Sequence, residues 1–372
     1  MRVLITNNRL DRRGGAEGVV RDLAIGLQKR GHTVVAYTSH LGDLPRLLEF
    51  DGVPVCTDLA KLPFKPDIIH GQHHLDAMTA ILSLPGVPAV YHCHGGVWRD
   101  TPPLHPRIGR YVAMSPTLKE RIMTESNLPD AAVEVILNGV NLDTFRTTRQ
   151  PPEKLRCALF YNGYHLAQSL TLEAVEKACA AENLDFERAG KRSFKRFDSP
   201  QTDLLDYDLV FASGKSALDA LACGCAVIIL GRNTCGPLVT PENFEQLRQA
   251  NFSVAAHLPP RESASIQAEI QKYRAADTVE VTRLTRTKCD INLVVDRLLA
   301  IYEEVIAQSR HQTQDLPSEI AATAAYLRKL VPLVKLIANA QDDAIVPVVT
   351  LESLHATRAQ AERLLRELNL IL

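Results

Sequence analysis

The chain of 372 residues lacks any excess of charge: 42 Lys plus Arg stand against 43 Asp plus Glu, a net charge of −1. That excludes a global positive field of the kind that drives nucleic-acid binding. Long apolar runs are missing too. No stretch reaches the ~18 to 20 uninterrupted apolar residues of a membrane-spanning helix. The apolar run within MRVLITNNRLDRRGG is too short for a signal peptide. The expectation is a cytoplasmic chain with peripheral membrane contact at most, because PTLKERIMTES mixes charges and has no basic face. The eight cysteines form no CxxC pair and no zinc-type spacing, which excludes a disulfide-stapled scaffold and leaves reduced thiols. No repeat of fixed period occurs. What is present is an ordinary globular composition, 46% apolar and 23% charged, with enough chain for two to three domains.

Short apolar runs alternate with helical patterns through the first half, as in a parallel sheet covered by helices. RVLIT, HTVVAYTS, PDIIHG, VPAVYHCHG, RYVAMS and VEVILNGV read as strands. VVRDLAIGLQKR, HLDAMTAILSL and PTLKERIMTES read as helices, the last opened by a proline. This predicts a Rossmann-like domain over 1–146. TTRQPPEKLR reads as a linker. A second alternation, CALFYNG to CAVIILG and on to the amphipathic LVVDRLLAIYEEVIAQ, predicts a second Rossmann-like domain over 155–308. Residues 309–372 are patterned as helices only, an appendage expected to pack on the body or to mediate homo-oligomer contacts. The fold class is therefore α/β with two doubly wound domains and an all-helical appendage.

Three segments carry candidate chemistry. In RLDRRGGAEGVV, Gly14, Gly15 and Gly18 open the first helix, whose free N–H groups and dipole suit an anion; Arg12 and Arg13 add phosphate contacts. The GGxxG spacing is not the GxGxxG of dinucleotide folds, so a nicotinamide cofactor is disfavoured. The histidines of HGQHHLD (His70, His73, His74) and HCHGG (His92, His94) follow apolar strands and so lie at the carboxyl edge of the sheet, where open α/β folds bind ligands. Imidazoles there serve as base, donor or metal ligand. His92 and His94, two apart on a strand, share a face and suit one metal ion, but HExxH and Cys/His spacings are absent. In DLVFASGKSALDALACG, Gly214, Lys215 and Ser216 put a turn, an ammonium and a hydroxyl at a helix start suited to a diphosphate. The earlier glycine of a nucleotide-hydrolase loop is missing, position 209 being Leu. Asp219, one turn on, is either a sugar-hydroxyl ligand or an i,i+4 partner of Lys215.

Together these segments resemble glycosyltransferase family 4, retaining enzymes with two Rossmann-like domains facing across a cleft (GT-B). GGAEGVVRDLAIGLQKRGHTVVAYTS, GVPAVYHCHGG and VILNGVNLDTF occur in that family's order, and ALDALACGCAVI is similar to its EAMAxGxPVI. The resemblance spans about residues 1–308 and is weakest from 155 to 205. It implies a sugar transfer from a nucleotide-diphosphate donor to the hydroxyl of a glycan or lipid-linked acceptor with retention, needing neither metal nor other cofactor. It implies His94 as the catalytic-side histidine touching the sugar, and Gly14, Gly15, Gly214, Lys215 and Ser216 near the diphosphate. Asp219 is implied on the ribose, and His70, His73 and His74 on the acceptor side. The sequence departs from the family at Phe211, where an Ex7E pair has its first glutamate, and lacks the basic pair after the first strand of the second domain. Alternatives are a catalytically degenerate nucleotide- or glycan-binding protein, a nucleotide-sugar epimerase and a metal-dependent hydrolase on the histidines.

Overall fold

The computed structural model of the protein describes residues 1–10, 15–39, 52–95, 98–161, 170–189, 197, 199–231, 234–253, 262–311, 313 and 315–342. The first sheet is built from β1 (Arg2–Thr6), β2 (Thr33–Tyr37), β3 (Val55–Cys56), β4 (Ile68–Gln72), β5 (Ala89–Cys93), β6 (Ile108–Ala113) and β7 (Val133–Val135). Its order is β3-β2-β1-β4-β5-β6-β7, parallel throughout. β4 and β5 are buried on both faces, so the polar side chains that they carry, His70, Gln72 and His92, are buried with them. The helices α1 (Gly15–Lys29), α2 (His74–Ser83) and α3 (Pro116–Ser126) cover it. Pro116 and the Ser115 cap start α3: the Ser115 hydroxyl accepts from the Leu118 N–H, and Asn127 ends the helix in the left-handed region.

The second sheet holds β8 (Cys157–Tyr161), β9 (Asp185–Ala189), β10 (Leu209–Ala212), β11 (Ala226–Leu230) and β12 (Cys235–Leu238), ordered β12-β11-β10-β8-β9. Around it lie α4 (Leu170–Ala181), α5 (Pro200–Asp203), α6 (Lys215–Cys223), α7 (Phe244–Gln249), α8 (Ser263–Ile270) and α9 (Ala275–Lys288). β12 runs antiparallel at an edge, where Pro237 is tolerated. Its Cys-Gly-Pro-Leu sequence carries no strand pattern, so pairing with β11 is a tertiary decision.

Two further helices follow, α10 (Ile291–His311) and α11 (Leu316–Asp342). α10 follows the second domain in the chain yet buries Val295, Leu298, Ile301, Tyr302 and Val305 in the first domain's core, beside Val20, Leu23 and Leu27 of α1. The approach is close: a Cβ at Gly26 would lie 2.7 Å from a Val295 methyl. α11 docks one face on the body through Tyr326 and a largely buried Arg107–Glu319 ion pair at 3.1 Å. It exposes Leu316, Ile320, Leu327, Val331 and Val334 on the other. Gly14, Arg12, Arg13 and the residues after 342 lie outside the described residues. Among the described residues no helix is long and apolar enough to cross a membrane.

Candidate functional site

In the first sheet the strand order turns back at β1 and β4, which leaves a crevice at their carboxyl ends. β4 and β5 deliver the histidines there, with Gln72 opposite His92 in register. His92 and His94 share a face and stack, ring centroids 4.3 Å apart and planes at 29°. His70 meets His92 edge-on at 5.4 Å, and His73 lies 6.5 Å from His94. Stacked rings present faces to one another, whereas a shared metal ion needs nitrogens that converge. Among the described residues no three His, Cys, Asp or Glu side chains are placed to hold a metal ion.

Three of the imidazoles have distinct anchors. His70 Nδ1 is 2.7 Å from the Tyr302 hydroxyl of α10. His73 sits at φ 55 as the residue before α2, and its Nδ1 accepts the Asn8 N–H at 3.1 Å. With Nδ1 accepting, a neutral ring carries its hydrogen on Nε2, which lies 3.4 Å from Asp100 Oδ1. His74 Nδ1 is 2.8 Å from the Tyr326 hydroxyl of α11, and its ring meets Trp98 edge-on at 4.4 Å. Among the described residues, buried atoms without hydrogen-bond partners gather at this spot: His70 Nε2, both Gln72 amide atoms, both His92 nitrogens and His94 Nε2. So many unpaired polar atoms in one place mark a site that water or a ligand fills.

Burial holds these rings neutral. It pushes His70 and His73 down to about 3, helped by repulsion from His94. His94 is lowered to about 4 by burial and then by Arg99; His74 is lowered to about 4 by burial, and His92 lies well below its ordinary value. Burial raises the Asp100 carboxyl to about 6. In an unfolded chain the histidines titrate near ~6.5, so between pH 6.5 and 4 the unfolded state binds more protons at these positions. Their contribution to stability is present above pH 6.5 and is lost as pH falls toward their folded values. Asp100 acts in the opposite sense, but five histidines outweigh it. The urea midpoint is expected to be lower at pH 5 than at pH 7.5; an equal or higher midpoint at pH 5 would mean that the rings are not held neutral.

The second domain brings an open helix start beside this edge. α6 begins after Gly214, whose φ of 58 requires glycine; among the described residues it has no side-chain cap, and nothing lies within 4 Å of a Cβ built there. The first N–H groups of α6 have no partner within the helix. Gly214 N–H donates to the Phe252 carbonyl, and the neighbouring Asn251 spans to the first domain, accepting from Asn138 N–H at 2.9 Å and donating to the Met114 carbonyl at the end of β6. At Gly15, the start of α1, nothing among the described residues lies within 4 Å of a built Cβ. Ser216 lies in the first turn of α6.

Lys215 points elsewhere. Its ammonium is 2.5 Å from Asp219, 3.2 Å from Asp22 of α1 and 5.5 Å from the Phe145 ring centre, so it bridges the two domains instead of standing free at the helix start. Burial alone would lower the lysine's pKa, but the two carboxylates outweigh it and raise it. Asp219 is raised to about 6 by burial, against the pull of Lys215. Asp22 also accepts from Asn141 at 3.4 Å, in the segment that leaves β7. Phe211, which the resemblance sets in an acid's place, is fully buried in the second core.

Sequence reasoning named His70, His73, His74, His94, Gly15, Gly214, Lys215, Ser216 and Asp219, and the structure brings the histidines into one group and Lys215 and Asp219 into another. It missed Asp100, Asp22, Tyr302 and Tyr326, which come from distant helices or turns and carry no local pattern. Asp100, in HCHGGVWRD, was the one with a usable signal, an acid close behind two strand-end histidines.

Residues 13–144 match the family model described as Glycosyltransferase Family 4. No curated protein matches the chain. Among solved structures, a glycosyltransferase from Rickettsia africae ESF-5 superposes with a TM-score of 0.60 at 15% identity, covering 82% of this chain and 98% of that one. Anabaena HepE in complex with UDP and glucose gives 0.56 at 13% identity, covering 81% and 99%. WaaG, a glycosyltransferase involved in lipopolysaccharide biosynthesis, gives 0.54 at 12%, also covering 81% and 99%. The chain has the GT-B architecture, as the resemblance implied.

Proposed function

We propose that this chain is a glycosyltransferase of the GT-B type, a hexosyltransferase that moves a sugar from a nucleotide-diphosphate donor to an acceptor hydroxyl with retention and without a metal. The observation that carries it is the group of buried, neutral histidines at the carboxyl ends of β4 and β5, inside the segment that matches Glycosyltransferase Family 4. Departure of a diphosphate builds negative charge, which helix N-termini stabilise without reorganisation. The starts of α6 and α1, at Gly214 and Gly15, are the groups we assign to that charge. Asp219 is the candidate for the ribose hydroxyls, and Lys215 acts by holding it in place. His94 presents a neutral Nε2 to the transferred sugar, and the acceptor, a glycan or lipid-linked sugar, lies toward His73 and His74. That HepE holds UDP and glucose supports a nucleotide donor here.

A second reading, a GT-B protein that binds nucleotide or glycan without turnover, is favoured by one observation: Lys215, the cation at the start of α6, is engaged by Asp22 and Asp219. A thermal-shift panel of UDP, GDP, ADP, TDP and CMP with their sugar conjugates, each with and without EDTA, tests both. Binding to the folded state alone stabilises it by about 2.7 kcal/mol at a hundredfold excess over Kd. The expected result is a higher Tm with one nucleotide family, retained in EDTA, and transfer to an acceptor. A shift without turnover selects the second reading, no shift with any nucleotide rejects a donor site, and a shift abolished by EDTA rejects metal independence.

A further inference from the structure

Among the described residues, those other than glycine with a positive φ are His73, Asn127, Asn183, Asn251 and Phe252. Asparagine and histidine visit the left-handed region readily, whereas a bulky aromatic there is an outlier. Phe252, at φ 51, is therefore the strained position, and it directly follows Asn251 at φ 50. Its surroundings hold it. The pair leaves the end of α7, where Asn251 N–H donates to the Arg248 carbonyl at 2.8 Å and Phe252 N–H to the Leu247 carbonyl at 2.7 Å. The Phe252 ring, 1% exposed, packs on Phe244 with ring centroids 5.5 Å apart. Strained backbone persists only where the surrounding structure over-determines it, and such places gather at working sites.

This turn serves both domains. On the second, the Phe252 carbonyl accepts Gly214 N–H at 2.9 Å and so fixes the residue immediately before α6. On the first, the Asn251 amide accepts from Asn138 N–H at 2.9 Å and donates to the Met114 carbonyl, between β6 and the Ser115 cap of α3. Gly214, Met114 and Asn138 all lie past the carboxyl ends of strands, β10, β6 and β7, so the turn joins the two sheet edges that carry the candidate site. Asn251 is 4% exposed, and hydrogen bonds made away from bulk water hold their geometry firmly.

We propose that Asn251 is a positioning residue: through the strained turn it shares with Phe252, it holds the start of α6 in register with the first domain and so sets the separation between that helix start and His94. The register rests on the contacts alone; its consequence for transfer rests on the transferase reading. Transfer needs the departing diphosphate and the sugar aligned at once, and a misplacement of about 1 Å that originates far from the chemistry costs up to about 10²-fold.

Asn251→Gly removes both interdomain bonds and keeps a residue at ease in the left-handed turn. Asn251→Asp keeps an acceptor for Asn138 N–H and removes the donor to Met114; it also guards against the glycine variant failing to fold. Asn183→Gly, the same exchange at φ 55 in the turn after α4, controls for the flexibility of an added glycine. Each full chain is read by hydrogen–deuterium exchange of peptides over 212–218, by the nucleotide-induced Tm shift and by steady-state transfer. Both Asn251 variants are expected to speed exchange over 212–218 at least about tenfold relative to Asn183→Gly, although the bonds removed are to Asn138 and Met114. Their kcat is expected to fall at least about tenfold while the donor KM stays within about threefold of the parent. A merely structural asparagine would lower Tm and leave the kcat of the folded fraction where it was. Parent-like exchange over 212–218 in both variants, or parent-like kcat in both, overturns the proposal. Transfer by the parent with neither quantity moved by the variants removes the positioning role and keeps the transferase reading. Faster exchange in the variants of a chain that neither binds nucleotide nor transfers sugar keeps the register and removes the transferase reading.

Discussion

Replacing His94 by alanine is expected to lower sugar transfer by about 10²–10³-fold while nucleotide affinity stays as it was, the size of effect seen when one preorganised donor to a developing charge is lost. The expectation follows from placement. His94 directly follows β5 in the crevice, stacks on His92 at 4.3 Å and keeps a buried Nε2 without a partner among the described residues. A ring lowered to about 4 is neutral at pH 7 and donates or accepts without first losing a proton. The start of α6 and Asp219 belong to the other domain, so the nucleotide-induced Tm shift should survive the substitution. Single-turnover transfer assays beside nucleotide thermal shifts separate the two quantities. Unchanged turnover would place the chemistry elsewhere, with Asp100 and His73 next in line.

Lys215→Met should destabilise the fold by about 3–5 kcal/mol, because removing one member of a buried charged group leaves the rest uncompensated. Side chains of Lys215, Asp22 and Asp219 are only 11%, 7% and 13% exposed. Without the ammonium, two carboxylates face each other across the domain boundary. Asp219, already raised to about 6 by burial, then loses the lowering pull of Lys215 and rises further, so the variant regains stability as pH falls through that raised value. Asp22→Asn added to Lys215→Met should restore much of the loss, whereas Asp219→Asn alone leaves a neutral Lys215–Asp22 pair and a nearly unchanged urea midpoint. If Asp219 meets the ribose, that same Asp219→Asn chain binds nucleotide more weakly. A Lys215→Met chain with the parent midpoint at pH 7.5 would show that the ion group does not hold the domains together.

Most strands of the two sheets were legible, β3 and β12 being the exceptions, because their signals are local: a buried parallel strand such as AVIIL is an unbroken apolar run, and Pro116 and Gly224 mark where helices start and stop. The position of the histidines at a carboxyl edge follows from the same strands, since a residue just past a parallel strand has nowhere else to be. Partner choice was not legible. That α10 crosses back onto the first domain, that Tyr302 and Tyr326 reach His70 and His74, and that Asp22 rather than a ligand meets Lys215 are contacts between residues 193 to 252 positions apart. By itself the sequence determined the two α/β units and the residue types at their edges, through periodicity and turn chemistry. Only tertiary packing decided which rings stack and which charges neutralise each other, because those depend on how helices from far along the chain close over the sheet ends.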